Sequence, residues 1–389
     1  MKAHDKVIIV VLAAILLIPL SGVLFSEDSD AAADNDYTHY YRDQLTYNQS
    51  LIYDALAQLD PASVTKTSVY EGSESYTVEV RVPSYAVSTS TYGALREIVL
   101  GDTERAWQAT LLDDPFAWWA WSTDNAGVAL YASSFKVMDA SGTVSGSSVS
   151  GLVFYVYIAD VYMEGTTIAS KVDEARAAMD TLVDDGKVTG DSAVSTIEKI
   201  NSYLCSSSFT YSTDAKFCNS IYGALVAQTD GKHAILCTGY SQLFKAACDR
   251  TGIPCINVVG MTAQSTENGA HMWNQVLIND GGTQKSLAVD ATWNATGAGT
   301  KSYLLVGSMT TVGGATFSQT HQAFAPIDAG SGLWADYAFK APSLASEGYS
   351  FPTEKDLVAS ISEYMPWIFA GIVCIILAYV LWTIGKKGE

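Results

Sequence analysis

The chain has 389 residues, of which 48% are hydrophobic and 16% charged, and its formal net charge is −19. That length allows two domains or one large one. A chain this acidic lacks the lysine and arginine that nucleic-acid phosphates or an anionic lipid surface would need, so neither is an expected partner.

In chain order, Val7 to Phe25 is uncharged, follows Lys2 and Lys6, and is about long enough to cross a bilayer. A cleaved signal peptide and an uncleaved N-terminal anchor both fit residues 1–25. Ser26 to Asp36 is an acidic, alanine-rich linker. Residues 37–185 read as an α+β subdomain. Tyr41 to Leu59 has the pattern of an amphipathic helix closed by Asp60-Pro61, and Ser68 to Val82 alternates as a strand with Tyr76, Val78, Val80 and Val82 on one face. Thr89 to Asp113 is again helical. The cluster Trp118-Trp119-Ala-Trp121 reads as a hydrophobic plug between helix and sheet. Val128 to Ala132 and Gly151 to Ala159 are expected strands, separated by a Ser/Gly turn, and Thr166 to Asp185 and Asp191 to Leu204 are expected helices. Residues 186–340 form the second region, and 341–364 read as a stalk. Met365 to Gly385 is uncharged, carries Trp367, Tyr379 and Trp382 near its ends and precedes Lys386 and Lys387, the pattern of a transmembrane helix with a cytoplasmic tail at 386–389. Lysines at both ends put both termini in the cytoplasm and residues 26–364 outside it.

The second region holds the chemistry. Tyr240, Leu243, Phe244, Ala247 and Cys248 fall at helical spacing, Gly252 and Pro254 end the run, and Cys237 stands at its start. Unpaired N–H groups and the positive dipole end at that position favour a thiolate, although a small buried hydrophobe is the ordinary fate of a cysteine. Further on, Pro254 to Gly260 reads as a strand. His271 to Ile278 and Ser286 to Trp293 read as the two arms of a hairpin turning at Asn279-Asp-Gly-Gly282. With the turn centred on Asp280-Gly281, His271 and Asp290 face each other on one side of the sheet. A thiolate to attack an amide, a histidine to move the proton and an acid to orient the ring are then all present, in the order Cys237, His271, Asp290. The Cys237 backbone N–H is a candidate oxyanion donor, with Tyr222, Asn219 and Gln228 as candidates for the second. His233 and His321 read as structural. If Cys237 stays free, Cys205 with Cys218 and Cys248 with Cys255 are candidate disulfides in an oxidising compartment, against the alternative of four buried thiols. Asn48 and Asn294 begin glycosylation triplets. There is no metal-ligand spacing and no phosphate-binding glycine loop, so neither a metal nor a cofactor is expected.

The runs Ser220-Ile-Tyr-Gly-Ala-Leu-Val, Gly231-Lys-His-Ala-Ile-Leu-Cys237-Thr-Gly-Tyr-Ser, Gly252-Ile-Pro-Cys, His271-Met-Trp-Asn, Val289-Asp-Ala-Thr-Trp293 and Tyr303-Leu-Leu-Val-Gly-Ser, with the later His321, resemble the transglutaminase-like superfamily. The likeness is closest to its prokaryotic extracytoplasmic members and covers roughly residues 190–325. It is weaker upstream, at Ile52-Tyr-Asp-Ala-Leu and Asp113-Asp-Pro-Phe-Ala-Trp-Trp. The resemblance implies a papain-like α+β fold, with a cysteine-bearing helix packed on an antiparallel sheet and a Cys-His-Asp triad at Cys237, His271 and Asp290. Thr238 and the hairpin sequence Gly-Gly-Thr-Gln-Lys-Ser depart from the family pattern without removing a triad member. The expected protein is a membrane-tethered thiol acyltransferase that acts on peptide or protein amides, as a peptidase, an amidase or a transglutaminase. The alternatives are a catalytically silent binding or assembly module and a structural surface protein.

Overall fold

The computed structural model describes residues 37–70, 73–120, 135–139, 148–262, 270–324 and 339–352, together with isolated helical positions between 362 and 379. The first apolar segment, the expected strand at 128–132, Trp121 and Cys374 lie outside the described residues. The chain divides into two compact units, Asn35–Tyr349 and Met1–Asp34 with Ser350–Glu389. In the latter, positions 365–367, 369–370, 372–373 and 375–379 are helical. Among the described residues no helix is long and apolar enough to cross a membrane.

The larger unit begins with helix α1 (Tyr47–Ala57), whose start is fixed by a capping box: Gln49 N–H donates to the Thr46 hydroxyl and the Gln49 side chain accepts from Thr46 N–H. The helix is shorter than the apolar pattern suggests, because residues 42–44 form a separate 3-10 turn. Strands β1 (Thr65–Tyr70) and β2 (Ser73–Ser88) pair antiparallel, Thr65 opposite Thr77, where the alternation reads as one strand from Ser68. Helix α2 (Tyr92–Asp113) starts at the Thr91 cap. Strands β3 (Phe135–Asp139) and β4 (Ser148–Ile158) complete a sheet in the order β1-β2-β4-β3. Val78, Val80 and Val82 of β2 pair with Val156, Phe154 and Leu152 of β4. All six are buried, as are Ile52 and Leu56 of α1 and Leu95, Val99 and Ala106 of α2. Each such side chain contributes about 1.5–3 kcal/mol by leaving water. Trp118 stacks on Tyr222 with ring centroids 5.4 Å apart and meets Tyr162 and Phe217 edge-on. The plug thus joins the N-terminal residues to the second region.

Helix α3 (Ile168–Asp184) closes the first region and helix α4 (Ala193–Leu204) opens the second; they are capped by Thr167 and Ser192. A short strand β5 (Phe209–Tyr211) is followed by helix α5 (Ile221–Leu225) and strand β6 (His233–Ile235), which lies parallel to β5. Next come helix α6 (Cys237–Arg250) and strands β7 (Cys255–Thr262), β8 (Ala270–Asp280) and β9 (Thr283–Val289). A three-residue helix α7 (Ala291–Trp293), the ribbon of β10 (Thr311–Val312) and β11 (Ala315–Thr316), helix α8 (Phe317–Thr320) and strand β12 (His321–Ala323) complete it. The main sheet is antiparallel, in the order β12-β7-β8-β9. This is a mixed helix-and-sheet, α+β architecture. Residues 345–349, at the head of the expected stalk, lie along this unit: Ala345 N–H donates to Ser286 O, and Tyr349 N–H donates to Leu305 O.

Helix α6 is the centre of the unit. Its sequence shows one apolar stripe, yet every residue from Gly239 to Cys248 is buried. Its polar side chains are spent on its neighbours. Ser241 donates to Met272 O (3.0 Å), Gln242 accepts from Ile221 N–H (2.9 Å), and Lys245 donates to both Asp249 oxygens (3.0 Å) and to Cys255 O (3.2 Å). Asn274 on β8 reaches Ser241 O at 3.1 Å and Asn257 Oδ1 on β7 at 2.9 Å. At its first turn α6 packs so closely that a Cβ on Gly239 would lie 2.8 Å from Ile235 Cβ and 2.9 Å from Cys218 O. Gly239→Ala is therefore expected to cost about 1–3 kcal/mol of stability, read as a lower urea midpoint with unchanged slope.

Candidate active site

Strand β6 delivers the chain to Cys237 through Leu236, whose backbone N–H is held by Cys218 O at 2.8 Å. Leu236 occupies the N-cap position of α6 and has no side-chain acceptor. The first-turn N–H groups are thus left without the side-chain cap that serine, threonine or aspartate would give. The sulfur of Cys237 sits where those groups and the helix dipole are directed.

The hairpin brings the other two residues. Asp280 pairs with Thr283, so the turn is Gly281-Gly282 rather than Asp280-Gly281. Both glycines have positive φ, 60° and 84°, which a two-residue turn of this hand requires and which glycine adopts without strain. The Asn279 side chain accepts from Gly282 N–H at 2.8 Å. This register differs by two from the one expected, so His271 and Asp290 are not directly opposed. A shift of two keeps both on the same face, and the return strand ends at Val289. Asp290 is then the N-cap of α7, its Oδ1 accepting from Trp293 N–H at 2.9 Å. Its Oδ2 lies 2.8 Å from His271 Nε2. The Cys237 thiol faces the His271 side chain, whose Nδ1 is the nitrogen not taken by Asp290.

Burial alone lowers the pKa of His271, but the Asp290 carboxylate and the Cys237 thiol raise it to about 10. Burial acts on Asp290 in the opposite sense, and contacts with His271 and His321 hold it well below the usual carboxylate range. Asp290 is fully buried and His271 is 9% exposed. The ring at Cys237 therefore carries its proton through neutral pH, and its counter-charge is fixed by three N–H donors.

The family model of the transglutaminase-like superfamily matches residues 180–290, which run from α3 through α6 to Asp290. These residues belong to the transglutaminase-like superfamily. Among solved structures, a TGase crystal structure is 13% identical over 43% of this chain and 47% of its own length, with a TM-score of 0.25. The periplasmic domain of TgpA from Pseudomonas aeruginosa, bound to ethylmercury, is 11% identical over 64% of this chain and 95% of its own, with a TM-score of 0.26. The chain thus spans about half the length of the first of these. No curated protein matches the sequence.

Within the transglutaminase-like domain the other expected site residues separate. The Tyr222 hydroxyl donates to Glu174 at 3.1 Å, and its ring is stacked on Trp118, so it is committed away from Cys237. Gln228 is exposed in the loop before β6. Asn219 follows Cys218 directly, beside the start of α6, and its Oδ1 accepts from Tyr162 at 3.1 Å. The five described cysteine thiols are free, so neither expected disulfide is formed. Cys205 ends α4, whereas Cys218 lies against the start of α6. Cys248 and Cys255 do meet, thiol to thiol, in a fully buried setting where burial pushes the Cys248 thiol up. Asn294 is buried, bonded to Asn201 at 2.9 Å and to Tyr303 N–H at 2.8 Å, which rules out the glycosylation its triplet suggests. Asn48 donates to Ala86 O at 3.0 Å.

Two features of the site were not legible in the residue pattern. Tyr211, at the end of β5, is half-exposed, and burial of the rest of its ring together with the charges of Cys237, Cys218 and Asp290 raises it to about 12. It borders a cavity of about 330 Å³ lined by Leu204, Phe209, Tyr240, Ala295 and Thr296. The second feature is His321, whose Nε2 lies 3.0 Å from Asp290 Oδ2. The donor atoms of His271, Asp290 and His321 are within 4.8 Å of one another, a spacing that a metal ion could also bridge.

Proposed function

We propose that the chain is a membrane-tethered, extracytoplasmic cysteine acyltransferase acting on peptide or protein amides through a thioester at Cys237. The observation that carries this reading is the continuous contact Cys237–His271–Asp290, buried at one end and anchored at the start of α6 at the other. The Cys237 thiolate adds to the amide carbonyl carbon, and the carbonyl oxygen takes the negative charge. The Cys237 backbone N–H is the first donor to that oxygen, and Asn219 is the neighbour best placed to be the second. The C–N bond then breaks, and the leaving amine takes the proton held by His271. Water or a second amine attacks the thioester next. It gives a proton back to His271 and releases the thiolate, with a carboxylic acid or a new amide as product. Asp290 stays ionised throughout and holds the ring in the tautomer that faces Cys237.

Tethering is supported by the uncharged runs Val7 to Phe25 and Met365 to Gly385 with their lysine flanks. The described helical positions of the second run expose Trp367, Phe369, Ile372, Val373, Ile375, Ile376 and Leu377. A run of that kind needs lipid or a partner to cover it.

Incubating the full-length chain with a peptide library, with and without a primary amine, tests the reaction. Mass spectrometry is expected to find cleaved or amine-modified peptides that disappear in Cys237→Ala. If no product forms and Cys237 is alkylated no faster than an ordinary thiol, the silent binding module is the better account.

A further inference from the structure

His321 lies beyond the residues that the family model matches, on strand β12 at the edge of the main sheet. Strand β7 separates it from β8: His321 pairs with Thr262, and two residues earlier Gly260 pairs with His271. Gly260 makes this approach possible. A Cβ there would lie 2.6 Å from the Trp273 ring and closer still to the Gln322 carbonyl. The imidazole of His321 is completely buried and held on several sides. It stacks on Phe317, with centroids 4.1 Å apart and planes 9° apart, and it lies 4.5 Å from Trp293, 5.2 Å from Trp273 and 5.5 Å from Tyr303. Its Nδ1 is 2.9 Å from the Thr320 hydroxyl.

The direction of the bond to Asp290 follows from the proton count. A carboxylate only accepts, so His321 Nε2 carries the hydrogen that it points at Oδ2. Burial pushes the His321 pKa below its ordinary value, and contact with Asp290 offsets part of that. The ring is thus neutral at neutral pH, with Nδ1 facing the Thr320 hydroxyl, which also lies 3.1 Å from Phe317 O. Asp290 Oδ2 therefore takes two imidazole N–H bonds, at 2.8 Å from His271 and 3.0 Å from His321, while Oδ1 takes the Trp293 N–H. A second donor on one oxygen spreads the carboxylate charge that would otherwise act on His271 alone.

We infer that His321 is a fourth residue of the relay: a positioning residue that fixes the Asp290 carboxylate and weakens its hold on the proton of His271. The inference deepens the acyl-transfer reading and rests on it. An imidazolium held too tightly by Asp290 cannot pass its proton to the leaving amine, and His321 keeps it releasable. The titratable groups facing His271 are Asp290 from the head of α7, Cys237 from α6 and His321 from β12, with Tyr211 and Tyr303 facing Asp290. Of these, His321 alone is a neutral nitrogen donor to the carboxylate, so its removal acts in one direction.

The test is the titration of the histidine rings in the full-length chain by NMR, with only five histidines to resolve. It does not depend on whether Cys237 turns over substrate. His321→Phe keeps the aromatic stack but removes the N–H, and the His271 titration is expected to move up by about one pH unit, a tenfold tighter proton. His321→Gln, which keeps an N–H donor, is expected to stay near wild type. Thr320→Val, which frees Nδ1 without touching the stack, is expected to move part of the way and serves if His321→Phe does not fold. The alkylation rate of Cys237 against pH is read on the same proteins. A wild-type His271 that titrates like an isolated imidazole overturns the acyl-transfer reading. A raised wild-type value that His321→Phe and Thr320→Val leave unmoved overturns the role of His321 alone. A wild-type titration that shifts on chelation with EDTA also overturns it, because the three side chains would then be metal ligands.

Discussion

Asp290→Asn is expected to reduce amide turnover about 10⁴-fold while leaving the fold intact, the size of effect seen when the acid of such a relay is made neutral. The reason lies in which atoms the carboxylate serves. Oδ1 accepts from Trp293 N–H, and Oδ2 accepts from both His271 and His321. An asparagine has one oxygen and one NH₂ group. If the oxygen caps α7, the NH₂ faces two imidazole N–H groups, and His271 must move its hydrogen to the nitrogen that faces Cys237. The ring is then unable to take or return a proton at the sulfur. If the oxygen instead serves the histidines, the NH₂ faces Trp293 N–H and the helix cap is lost, at about 1 kcal/mol. Turnover under saturating peptide and the alkylation rate of Cys237 both read the result, and a variant within tenfold of wild type on both would remove Asp290 from the mechanism.

The same substitution has a signature in stability. Asp290 is depressed from 3.8, so its contribution is present above about pH 4 and is lost as pH falls. His271 is raised from 6.5 to about 10, so its contribution is full below 6.5 and is lost as pH rises through 10. The pair therefore stabilises the fold most between roughly pH 4 and 6.5, and in that window wild type and Asp290→Asn are expected to differ most in urea midpoint.

How much of this the sequence carries differs from residue to residue. Cys237 is legible because a helix start has local signals: the apolar spacing after it, then Gly252 and Pro254. His271 and Asp290 are legible as a pair because a hairpin turn is also local. Their register is not, since it depends on which two of Asn279-Asp-Gly-Gly282 occupy the centre. Gly281-Gly282 takes both positive-φ positions and moves the pairing by two. Asp290 carries a second signal in the run Asp-Ala-Thr-Trp, that of a helix cap, which is hidden when Val289 to Trp293 reads as a continuing strand.

The buried polar residues of α6 mark where local reading ends. Ser241, Gln242 and Lys245 look like a solvent face because Met272 O, Ile221 N–H and Cys255 O, which they bond, are remote in sequence; only Asp249, one turn on from Lys245, is local. Nothing within one turn of each residue announces the remote partners. His321 is hidden for the same reason. Its aromatic cage is assembled from β8, α7, α8 and residue 303 only after folding, and a lone histidine among apolar residues ordinarily reads as packing. The disulfide readings fail differently. Nearness in sequence brings Cys248 and Cys255 into contact, but it leaves Cys205 at the end of α4 and Cys218 in the loop between β5 and α5.

At pH 9, Lys245→Met is expected to destabilise the chain by about 3–5 kcal/mol, the range for leaving one buried charge without its partner. Lys245 is fully buried. Burial lowers its pKa, but Asp249, Cys255 and Asp113 raise it on balance, so it is charged in the folded chain. Asp249 is partly exposed and keeps its water, whereas Asp113, at the end of α2, is 4% exposed. Asp113 binds the chain entering α1. It accepts from Tyr41 N–H at 3.1 Å, Arg42 N–H at 3.1 Å and the Tyr53 hydroxyl at 3.1 Å, while the Tyr41 hydroxyl donates to Asn257 O on β7. Burial pushes the Asp113 carboxyl to about 7, against the pull of Lys245 and of those donors. A carboxyl raised in the folded state takes up protons on folding, so wild-type stability falls as pH rises from about 4 through 7 and then levels. Without Lys245 the Asp113 carboxyl rises further, and the decline continues above pH 7. In Asp113→Asn that slope disappears. Lys245→Met combined with Asp113→Asn costs less than the sum of the two, because no buried charge is then left unpaired. Urea unfolding of the four proteins at pH 5, 7 and 9 reads slope and coupling together. Parallel pH profiles with additive losses would mean that the two charges do not act on each other.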